Sequence, residues 1–252
     1  MFDLLKLRMR HGYPAIKDIR RAVVKAPFRG FPLIDGDKCS DGCTACAGVC
    51  PSGAILLRPL RLDLGACVFC GECERACPAG TIRFGTAHRL GATRRDYLII
   101  DSGRTAADYT AAAIESRREI RRLFGRSLKL RQVSAAGCNG CEMELAACGN
   151  VNFDMGRFGV EFVASPRHAD GIVLTGPVSR NMAAALRDAY RSTAEPRIVV
   201  AVGACAISGG LFVDSTELDR TFLDDVRVDL YVPGCPPHPL TFIRAVLDFL
   251  GR

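Results

Sequence analysis

The sequence contains no tryptophan, and aromatic residues make up only 7% of its 252 residues. Proteins that bind single-stranded nucleic acid interleave stacking side chains with basic ones. The formal net charge of +7 is therefore not arranged for that purpose, and no nucleic-acid partner is expected. Nucleotide-binding glycine motifs are also missing, because neither G-x-G-x-x-G nor the Walker lysine motif occurs.

Long hydrophobic runs are scarce as well. The longest, Ile198 to Val213, is interrupted by glycines and lies between Arg197 and Asp214, so it is too short and too polar to span a bilayer. No signal-peptide core follows the first residues, which predicts a chain that stays inside the cell. Structural disulfides are disfavoured there. The thirteen cysteines therefore indicate metal or redox chemistry.

Eight cysteines fall in two groups near the N-terminus. The second group, Cys67-x2-Cys70-x2-Cys73-x3-Cys77-Pro78, has the spacing of bacterial cubane ferredoxins, in which the fourth cysteine binds the other cluster. Two such groups predict two clusters. One is expected on Cys67, Cys70, Cys73 and Cys50, the other on Cys39, Cys43, Cys46 and Cys77. Zinc is the alternative, but zinc ribbons use two cysteine pairs with a long spacer, not a triple plus one that occurs twice.

The first group departs from the ferredoxin spacing. Ser40, Asp41 and Gly42 separate Cys39 from Cys43, where the pattern has two residues. Gly42 can adopt a positive φ and so accommodate the extra residue in the turn. Asp41 is the alternative ligand at this position.

The second half of the chain has a different pattern. Short apolar runs alternate with helical segments from about residue 128 onward, which predicts a parallel sheet covered by helices. Strands are expected in "LKLRQVSA", "VEFVAS", "GIVLTG", "PRIVVAVGA" and "VDLYVPG", and helices near 141–148, 180–191 and 237–250. Pro237 is expected in the first turn of the last helix, with Leu240, Ile243, Leu247 and Leu250 on its apolar face.

Four further cysteines follow predicted strands. Cys138, Cys141, Cys205 and Cys235 each lie in a loop rich in glycine or proline. In open α/β sheets, sites gather at the carboxyl ends of the strands. A single buried thiol is common in protein cores, but four in such places predict a third cluster.

"GCNGCEMEL", "TGPVSRNM", "GACAISGG" and "VPGCPPHP" resemble the small subunit of group 4, membrane-associated NiFe hydrogenases, as in formate hydrogenlyase, and the related 20 kDa subunit of respiratory complex I. The resemblance implies a flavodoxin-like α/β domain with a proximal 4Fe-4S cluster on Cys138, Cys141, Cys205 and Cys235. Complex I subunits carry adjacent cysteines at the first site, whereas Cys138 and Cys141 have the hydrogenase spacing. His238 stands where the family usually has arginine, and Leu240 where glutamate is frequent.

The first 95 residues resemble a different subunit of the same complexes. "MFDLLKLRMRHGYP", "FRGFP" and the double cysteine motif are similar to their two-cluster ferredoxin subunit. The chain is thus expected to be a fusion with a small α+β ferredoxin domain in front. The expected divisions are a basic amphipathic segment (1–30), the ferredoxin domain (31–95), a linker with one helix over "AADYTAAAIESRREIRRLF" (96–127) and the hydrogenase-like domain (128–252).

Positive charge is concentrated at the front. Residues 1–38 contain nine Lys or Arg against four Asp, and Phe2, Leu5 and Met9 recur at helical spacing. Such a segment can lie on an anionic membrane surface, although an ordinary surface helix has the same composition. The resemblance favours peripheral attachment at the cytoplasmic side of the cell membrane, with membrane-anchor subunits as partners. Gly12 and Pro14 end the segment too early for it to span.

The resemblance implies that the chain is part of an oxidoreductase. Electrons would pass through three 4Fe-4S clusters between a donor, such as a formate dehydrogenase iron-sulfur subunit or ferredoxin, and a large NiFe subunit. Glu142 is the carboxylate expected to aid proton transfer, with Glu144 as competitor and a first-turn acid as the structural alternative. Cys148 is assigned to packing. The rival functions are a complex I-like quinone or sulfur reductase without nickel, and a zinc-stapled nucleic-acid-binding module.

Overall fold

The computed structural model describes residues 2–116 and 118–252 of the chain. Its helices are α1 Phe2–His11, α2 Ala45–Gly48, α3 Glu72–Ala76, α4 Ala106–Ala112, α5 Arg118–Phe124, α6 Gly140–Ala147, α7 Arg180–Ser192, α8 Ala204–Ser208, α9 Thr221–Asp225 and α10 Pro239–Phe249. Its strands are β1 Pro32–Ile34, β2 Ile55–Leu56, β3 Arg61–Asp63, β4 Ile82–Phe84, β5 Ile99–Asp101, β6 Leu128–Ser134, β7 Val160–Phe162, β8 Gly171–Thr175, β9 Ile198–Val202 and β10 Leu230–Val232.

A five-stranded parallel sheet organises the C-terminal half. Its strand order is β10-β9-β8-β6-β7, and Leu130 of β6, for example, lies opposite Gly171 of β8. Every residue of β8 and β9 is buried. Strands covered on both faces need apolar residues at every position, which explains why these two appear in the sequence as unbroken apolar runs. The predicted α/β class and all five predicted strands are confirmed.

The last helix begins later than predicted. α10 starts at Pro239, and the Nδ1 atom of His238 accepts a hydrogen bond from the Leu240 N–H at 3.1 Å, so His238 is the N-cap. The prediction of Pro237 as a first-turn residue is wrong, because Pro239 takes that place and its missing N–H costs nothing there. The predicted apolar face of α10 covers fewer residues than the helix buries. Phe242, Ala245 and Val246 are buried as well as the four leucine and isoleucine residues.

The N-terminal half contains two small antiparallel sheets and two short helices. β1 pairs with β4, and β3 lies between β2 and β5. The helices α2 and α3 pack against each other. This is the small α+β ferredoxin-like unit that the double cysteine motif predicts.

The predicted single helix of the linker is wrong. α4 ends at Ala112 and α5 begins at Arg118. Between them, the Thr93 N–H donates to the Ala113 carbonyl at 2.9 Å, and the Thr93 hydroxyl accepts from the Glu115 N–H at 3.1 Å. These bonds satisfy backbone groups that a continuous helix would pair internally. Tyr109 of α4 and Phe124 of α5 consequently pack into different parts of the core.

One continuous core joins the two halves. Leu62 and Ile82 of the N-terminal sheets belong to the same apolar cluster as Ile172 and Val199 on one face of the parallel sheet. The backbones of Ala92 and Tyr231 also exchange two hydrogen bonds, at 2.8 and 3.0 Å. The two halves are therefore packed together and not merely tethered.

The first helix stands apart from this core. No residue of α1 is buried, and Phe2, Leu4 and Met9 are each more than two-thirds exposed. The helix ends at His11, and Gly12 follows with φ of 62°. Within residues 2–116 and 118–252, no helix is long and apolar enough to cross a membrane.

Candidate iron-sulfur sites

All thirteen cysteines are free thiols, and twelve of them gather in three groups. In the first group, burial raises the pKa of Cys46, and the nearby thiols of Cys77 and Cys39 raise it further. Cys43 lies beside Cys39 on the wall of the same groove. These four are the residues that the spacing assigns to one cluster.

The second group is more deeply buried. Burial raises the pKa of Cys67 to about 12, and Cys73, Cys50 and Cys70 add to the effect. Burial likewise raises the pKa of Cys73 to about 11, and Cys50 and Cys70 raise it further. Cys50 thus comes from the first motif to meet three cysteines of the second, as predicted.

The third group forms at the carboxyl edge of the parallel sheet. Cys138 follows β6, Cys205 lies in α8 directly after β9, and Cys235 follows β10. Burial raises the pKa of Cys141 to about 12, and Glu142, Cys205, Cys235 and Cys138 raise it further. The structure therefore brings together the four cysteines that the strand ends predict.

The loops of these groups have unusual backbone conformations. Phe69, Asn139 and Ala136 adopt positive φ angles of 53°, 68° and 71°, which non-glycine residues rarely do. Such conformations persist where the surroundings enforce them, often at functional sites. Gly203 shows the crowding most directly, since a Cβ atom there would lie 2.5 Å from the Cys141 sulfur.

Backbone N–H groups point at the sulfurs of the first two groups. The Ala54 N–H donates to the Cys50 Sγ at 3.2 Å, and the Thr81 N–H donates to the Cys77 Sγ at 3.2 Å. The Phe69 N–H donates to the Cys67 Sγ at 3.3 Å. Hydrogen bonds to ligand sulfurs are among the determinants of cluster potential. These donors were not predicted from the cysteine spacing, although the repeated Cys-Pro-x-Gly-x-Ile pattern at residues 50–55 and 77–82 signals two of them.

The residues present fit iron-sulfur clusters. Burial raises the pKa of one or more thiols in each group, as at Cys46, Cys67 and Cys141, and bound iron would supply the positive charge that deprotonates such ligands. N–H donors then stabilise the thiolates. Among residues 2–116 and 118–252, no three His, Cys, Asp or Glu side chains close tightly around a single ion. In a cube, each of the four thiols binds a different iron.

The extra residue before Cys43 is accommodated by glycine. Gly42 has a φ of 76°, and no atom lies within 4 Å of where its Cβ would be. Asp41 is exposed. The turn therefore carries the insertion, and Cys39 still lies close enough to Cys46 to affect its pKa.

The three groups form a chain. Cys46 of the first group contributes to the raised pKa of Cys73 in the second. Cys70 of the second group contributes to the raised pKa of Cys235 in the third, after burial and Cys138. The helices that hold Cys46 and Cys73 also pack against each other, and Phe69 lines one pocket with Gly234 and Pro236 on either side of Cys235. The second group therefore lies between the first and the third.

Glu142 is fixed beside the third group. Its carboxylate accepts hydrogen bonds from the Ser134 and Thr175 hydroxyls, both at 2.6 Å. Partial burial raises the pKa of Glu142, but these hydrogen bonds outweigh burial and hold the pKa below its ordinary value. Burial raises the pKa of Glu144 instead.

Arg220 is a residue that sequence reasoning missed. Its guanidinium is partly buried and donates to the carbonyls of Cys205 at 3.0 Å, Ala206 at 2.9 Å and Ile207 at 3.1 Å, and also to that of Pro177 at 3.1 Å. Unpaired carbonyls at a helix end are costly when buried. Arg220 therefore holds α8, and with it Cys205, in place.

Cys148 and His238, both named in the sequence analysis, pack against other residues of this chain. Cys148 is fully buried, and its sulfur contacts the Glu144 and Pro239 carbonyls. The ring of His238 contacts Phe28 and Phe153 edge to face, with centroids 5.5 and 5.7 Å apart. His238 thus packs within this chain where the resembling family usually has arginine.

Comparison with known proteins places the chain in a family. Residues 138–249 match the family described as NADH ubiquinone oxidoreductase, 20 Kd subunit, and residues 60–83 match the 4Fe-4S binding domain. The chain is 37% identical to the probable membrane-bound hydrogenase subunit mbhJ of Pyrococcus furiosus, over 52% of this chain and 78% of that protein.

Two further relatives belong to different complexes. Formate hydrogenlyase subunit 7 of Escherichia coli is 44% identical over 50% of this chain and 49% of its own length. An NADH-quinone oxidoreductase subunit of Geotalea daltonii is 40% identical over 44% of this chain and 67% of its own length. These relatives are subunits of oxidoreductase complexes. The chain belongs to the NADH ubiquinone oxidoreductase 20 Kd subunit family, and a 4Fe-4S binding domain precedes the family domain.

Proposed function

We propose that this chain is the electron-transfer subunit of a membrane-associated NiFe hydrogenase complex of the formate hydrogenlyase type. The observation that carries the proposal is the succession of three thiol groups: α2 with Cys46 packs against α3 with Cys73, and Phe69 of the second motif lines one pocket with Gly234 and Pro236, which flank Cys235. Three 4Fe-4S clusters would supply one-electron transfer with little rearrangement. Each of the twelve cysteines then has one role as a ligand.

The chain's own residues set the conditions for each site. The N–H donors at Cys50, Cys67 and Cys77 stabilise thiolate charge, and the apolar core around Cys67 and Cys73 excludes water. Arg220 fixes the backbone around Cys205. Glu142, ionised between Ser134 and Thr175, is the proposed proton acceptor beside the third group.

The surface at the third group supports a partner subunit there. Cys138 and Cys235 are exposed, as is the apolar side chain of Met143. Leu211 and Phe212, also exposed, directly follow Gly210, which packs on Cys205. We propose that the large catalytic subunit covers this surface, because a cluster that feeds a reaction centre must lie near it.

At the opposite end, the first group faces a groove lined by Cys39 and Cys43. We propose that the electron donor, a formate dehydrogenase iron-sulfur subunit or ferredoxin, docks here. The exposed helix α1, with Lys6, Arg8 and Arg10, would attach the complex to the cytoplasmic side of the membrane and its anchor subunits.

A complex I-like quinone or sulfur reductase is the second candidate. The 40% identity to the Geotalea daltonii NADH-quinone oxidoreductase subunit supports it, and percentage identity does not separate the two functions. The two-residue spacing between Cys138 and Cys141 favours the hydrogenase, because it resembles the hydrogenase form.

Nickel content distinguishes the candidates. The complex is purified anaerobically from its own host through an affinity tag on this chain, and nickel is measured together with hydrogen evolution from reduced viologen. About one nickel per chain with hydrogen evolution is expected. A stable complex that contains no nickel and reduces quinone or sulfur would establish the second candidate instead.

A further inference from the structure

A short internal repeat gives the first two sites the same backbone. Residues 50–55 and 77–82 both follow Cys-Pro-x-Gly-x-Ile. Gly53 and Gly80 have φ angles of 63° and 61°. In each copy, the N–H of the fourth residue after the cysteine donates to its Sγ at 3.2 Å. The repeat therefore places one equivalent donor at Cys50 of the second group and at Cys77 of the first.

The two copies differ in one buried side chain. The fourth residue is Ala54 in the first copy and Thr81 in the second, and both are at least 98% buried. The Thr81 Oγ1 atom is shielded from solvent and has no hydrogen-bond partner. A buried hydroxyl that donates to nothing loses the free energy of its hydration. The Thr81 hydroxyl is therefore expected to have an acceptor when the site is occupied.

The Cys77 sulfur is the acceptor that lies at hand. The Thr81 N–H lies 3.2 Å from this sulfur, so the hydroxyl of the same residue is within reach of it. The hydroxyl falls short of a regular hydrogen bond to the sulfur of the free thiol. A thiolate attracts a donor more strongly than a thiol does, and the hydroxyl makes no hydrogen bond to another protein group that would hold it away.

Thr81 also borders a groove of about 250 Å³ that is lined by Asp35, Lys38 and Arg83. Water in this groove is the rival acceptor. In the other copy, the hydroxyl of Ser52 lies 3.9 Å from the Cys50 sulfur, at the outer limit of such contacts, and Ser52 is partly exposed. The second group therefore lacks a buried hydroxyl equivalent to that of Thr81.

We propose that the Thr81 hydroxyl donates a hydrogen bond to the Cys77 sulfur and thereby makes the first iron-sulfur site easier to reduce. Reduction adds negative charge to a cluster, and a donor at a ligand sulfur stabilises that charge. Thr81 is then a positioning residue that acts through Cys77. This inference rests on the proposed function, since it requires clusters in both ferredoxin-like sites.

The repeat supplies matched variants. Thr81→Ala removes the hydroxyl and installs the residue found at position 54, Thr81→Ser restores a hydroxyl, and Ala54→Ser introduces one at the equivalent place. The full chain is produced anaerobically with its clusters, and each midpoint potential is measured by redox titration with electron paramagnetic resonance detection. Removing one hydroxyl is expected to lower the equilibrium constant for reduction of the cluster about two- to tenfold. A tenfold change corresponds to about 59 mV in the midpoint potential for one electron.

The expected pattern is specific. Thr81→Ala lowers the midpoint of one cluster, Thr81→Ser leaves it near the parental value, and Ala54→Ser raises the midpoint of the other cluster. Unchanged midpoints in Thr81→Ala with all iron retained would show that groove water is the acceptor and overturn the inference. If Thr81→Ala loses a cluster, Ala54→Ser is the deciding variant. A higher midpoint potential of the second cluster in Ala54→Ser would support the inference, and an unchanged one would overturn it. Absence of any cubane signal from the parental chain would contradict the proposed function itself.

Discussion

Cys70 of the N-terminal half and Cys235 of the C-terminal half lie near enough across their junction for their charges to interact. Burial and Cys138 raise the pKa of Cys235 first, and Cys70 raises it further. The second and third thiol groups are thus neighbours, although they belong to different domains. Leu62 and Ile172, one from each half, belong to the same continuous core.

Replacing Cys235 by serine separates the two parts of the electron path. A serine alkoxide is a harder ligand than thiolate, and iron in these clusters is matched to sulfur, so the third cluster should be damaged. The first two sites take no ligand beyond Cys77 and should still be reduced by the donor. Electron paramagnetic resonance of the reduced complex should therefore retain two clusters, while turnover falls to background.

Because Cys235 is exposed, the substitution should leave the fold intact. Cys148→Ser is the control, since Cys148 lies in the core against the Pro239 carbonyl and is no ligand. Robust turnover of Cys235→Ser with all its iron would remove the third site from the account.

Arg220→Lys tests the support of Cys205. Lysine keeps the charge but lacks the planar fork that reaches four carbonyls. Leaving several buried carbonyls unpaired should destabilise the chain by about 1–3 kcal/mol and make the third cluster the first to be lost on warming. Chemical denaturation and the resonance signal of each cluster measure the two effects. Parental stability with an unaltered third signal would show that Arg220 is dispensable there.

Glu142 gives a pH dependence. Its pKa is lowered in the folded chain, so its contribution to stability is fully present above the ordinary value of 4.5 and is lost as the pH falls through the lowered pKa. Glu142→Gln should cost about 1 kcal/mol at pH 7, because the bonds from Ser134 and Thr175 lose their charged acceptor. The difference between the two proteins should shrink below pH 4.5 in unfolding measurements.

The same variant tests proton transfer. Glu142→Gln should lower hydrogen turnover with unchanged cluster signals, whereas Glu144→Gln should not. Equal turnover in all three proteins would leave Glu142 with a structural role only.

Deleting residues 1–13 tests attachment through α1. This helix has no buried residue and precedes every cysteine, so the visible iron-sulfur absorption should be unchanged while the complex washes more easily from membranes. Membrane association equal to that of the parental complex would identify α1 as an ordinary surface helix. Loss of absorption would mean that the segment is needed by the ferredoxin-like half.

Cysteine spacing and strand ends predicted which thiols lie near one another, because ligand geometry restricts spacing and parallel strands end at one edge. The assignment of each thiol to a cluster stays a prediction. Local sequence patterns gave wrong helix bounds where residues distant in sequence form hydrogen bonds with the backbone of the segment. Thr93 donates a hydrogen bond to the Ala113 carbonyl and accepts one from the Glu115 N–H, and the chain between α4 and α5 is therefore not helical. No pattern within residues 106–124 signals these bonds.

Buried polar contacts were also beyond the sequence. Arg220 appears as an ordinary basic residue before a short helix, and only the folded chain shows that it meets the carbonyls of Cys205 and Pro177. The order of the three groups likewise depends on how the halves pack, since Phe69 of the second motif meets Gly234 and Pro236 from a distant segment in one pocket.

Iron and acid-labile sulfide analysis of the anaerobically purified full chain tests the central claim most directly. Three complete sets of four cysteines predict about 12 iron and about 12 sulfide per chain, with a brown colour. A content of no more than about 8 iron would contradict the three-cluster account, with the site at Cys39 the first to be examined. Colourless protein that contains zinc would contradict it entirely.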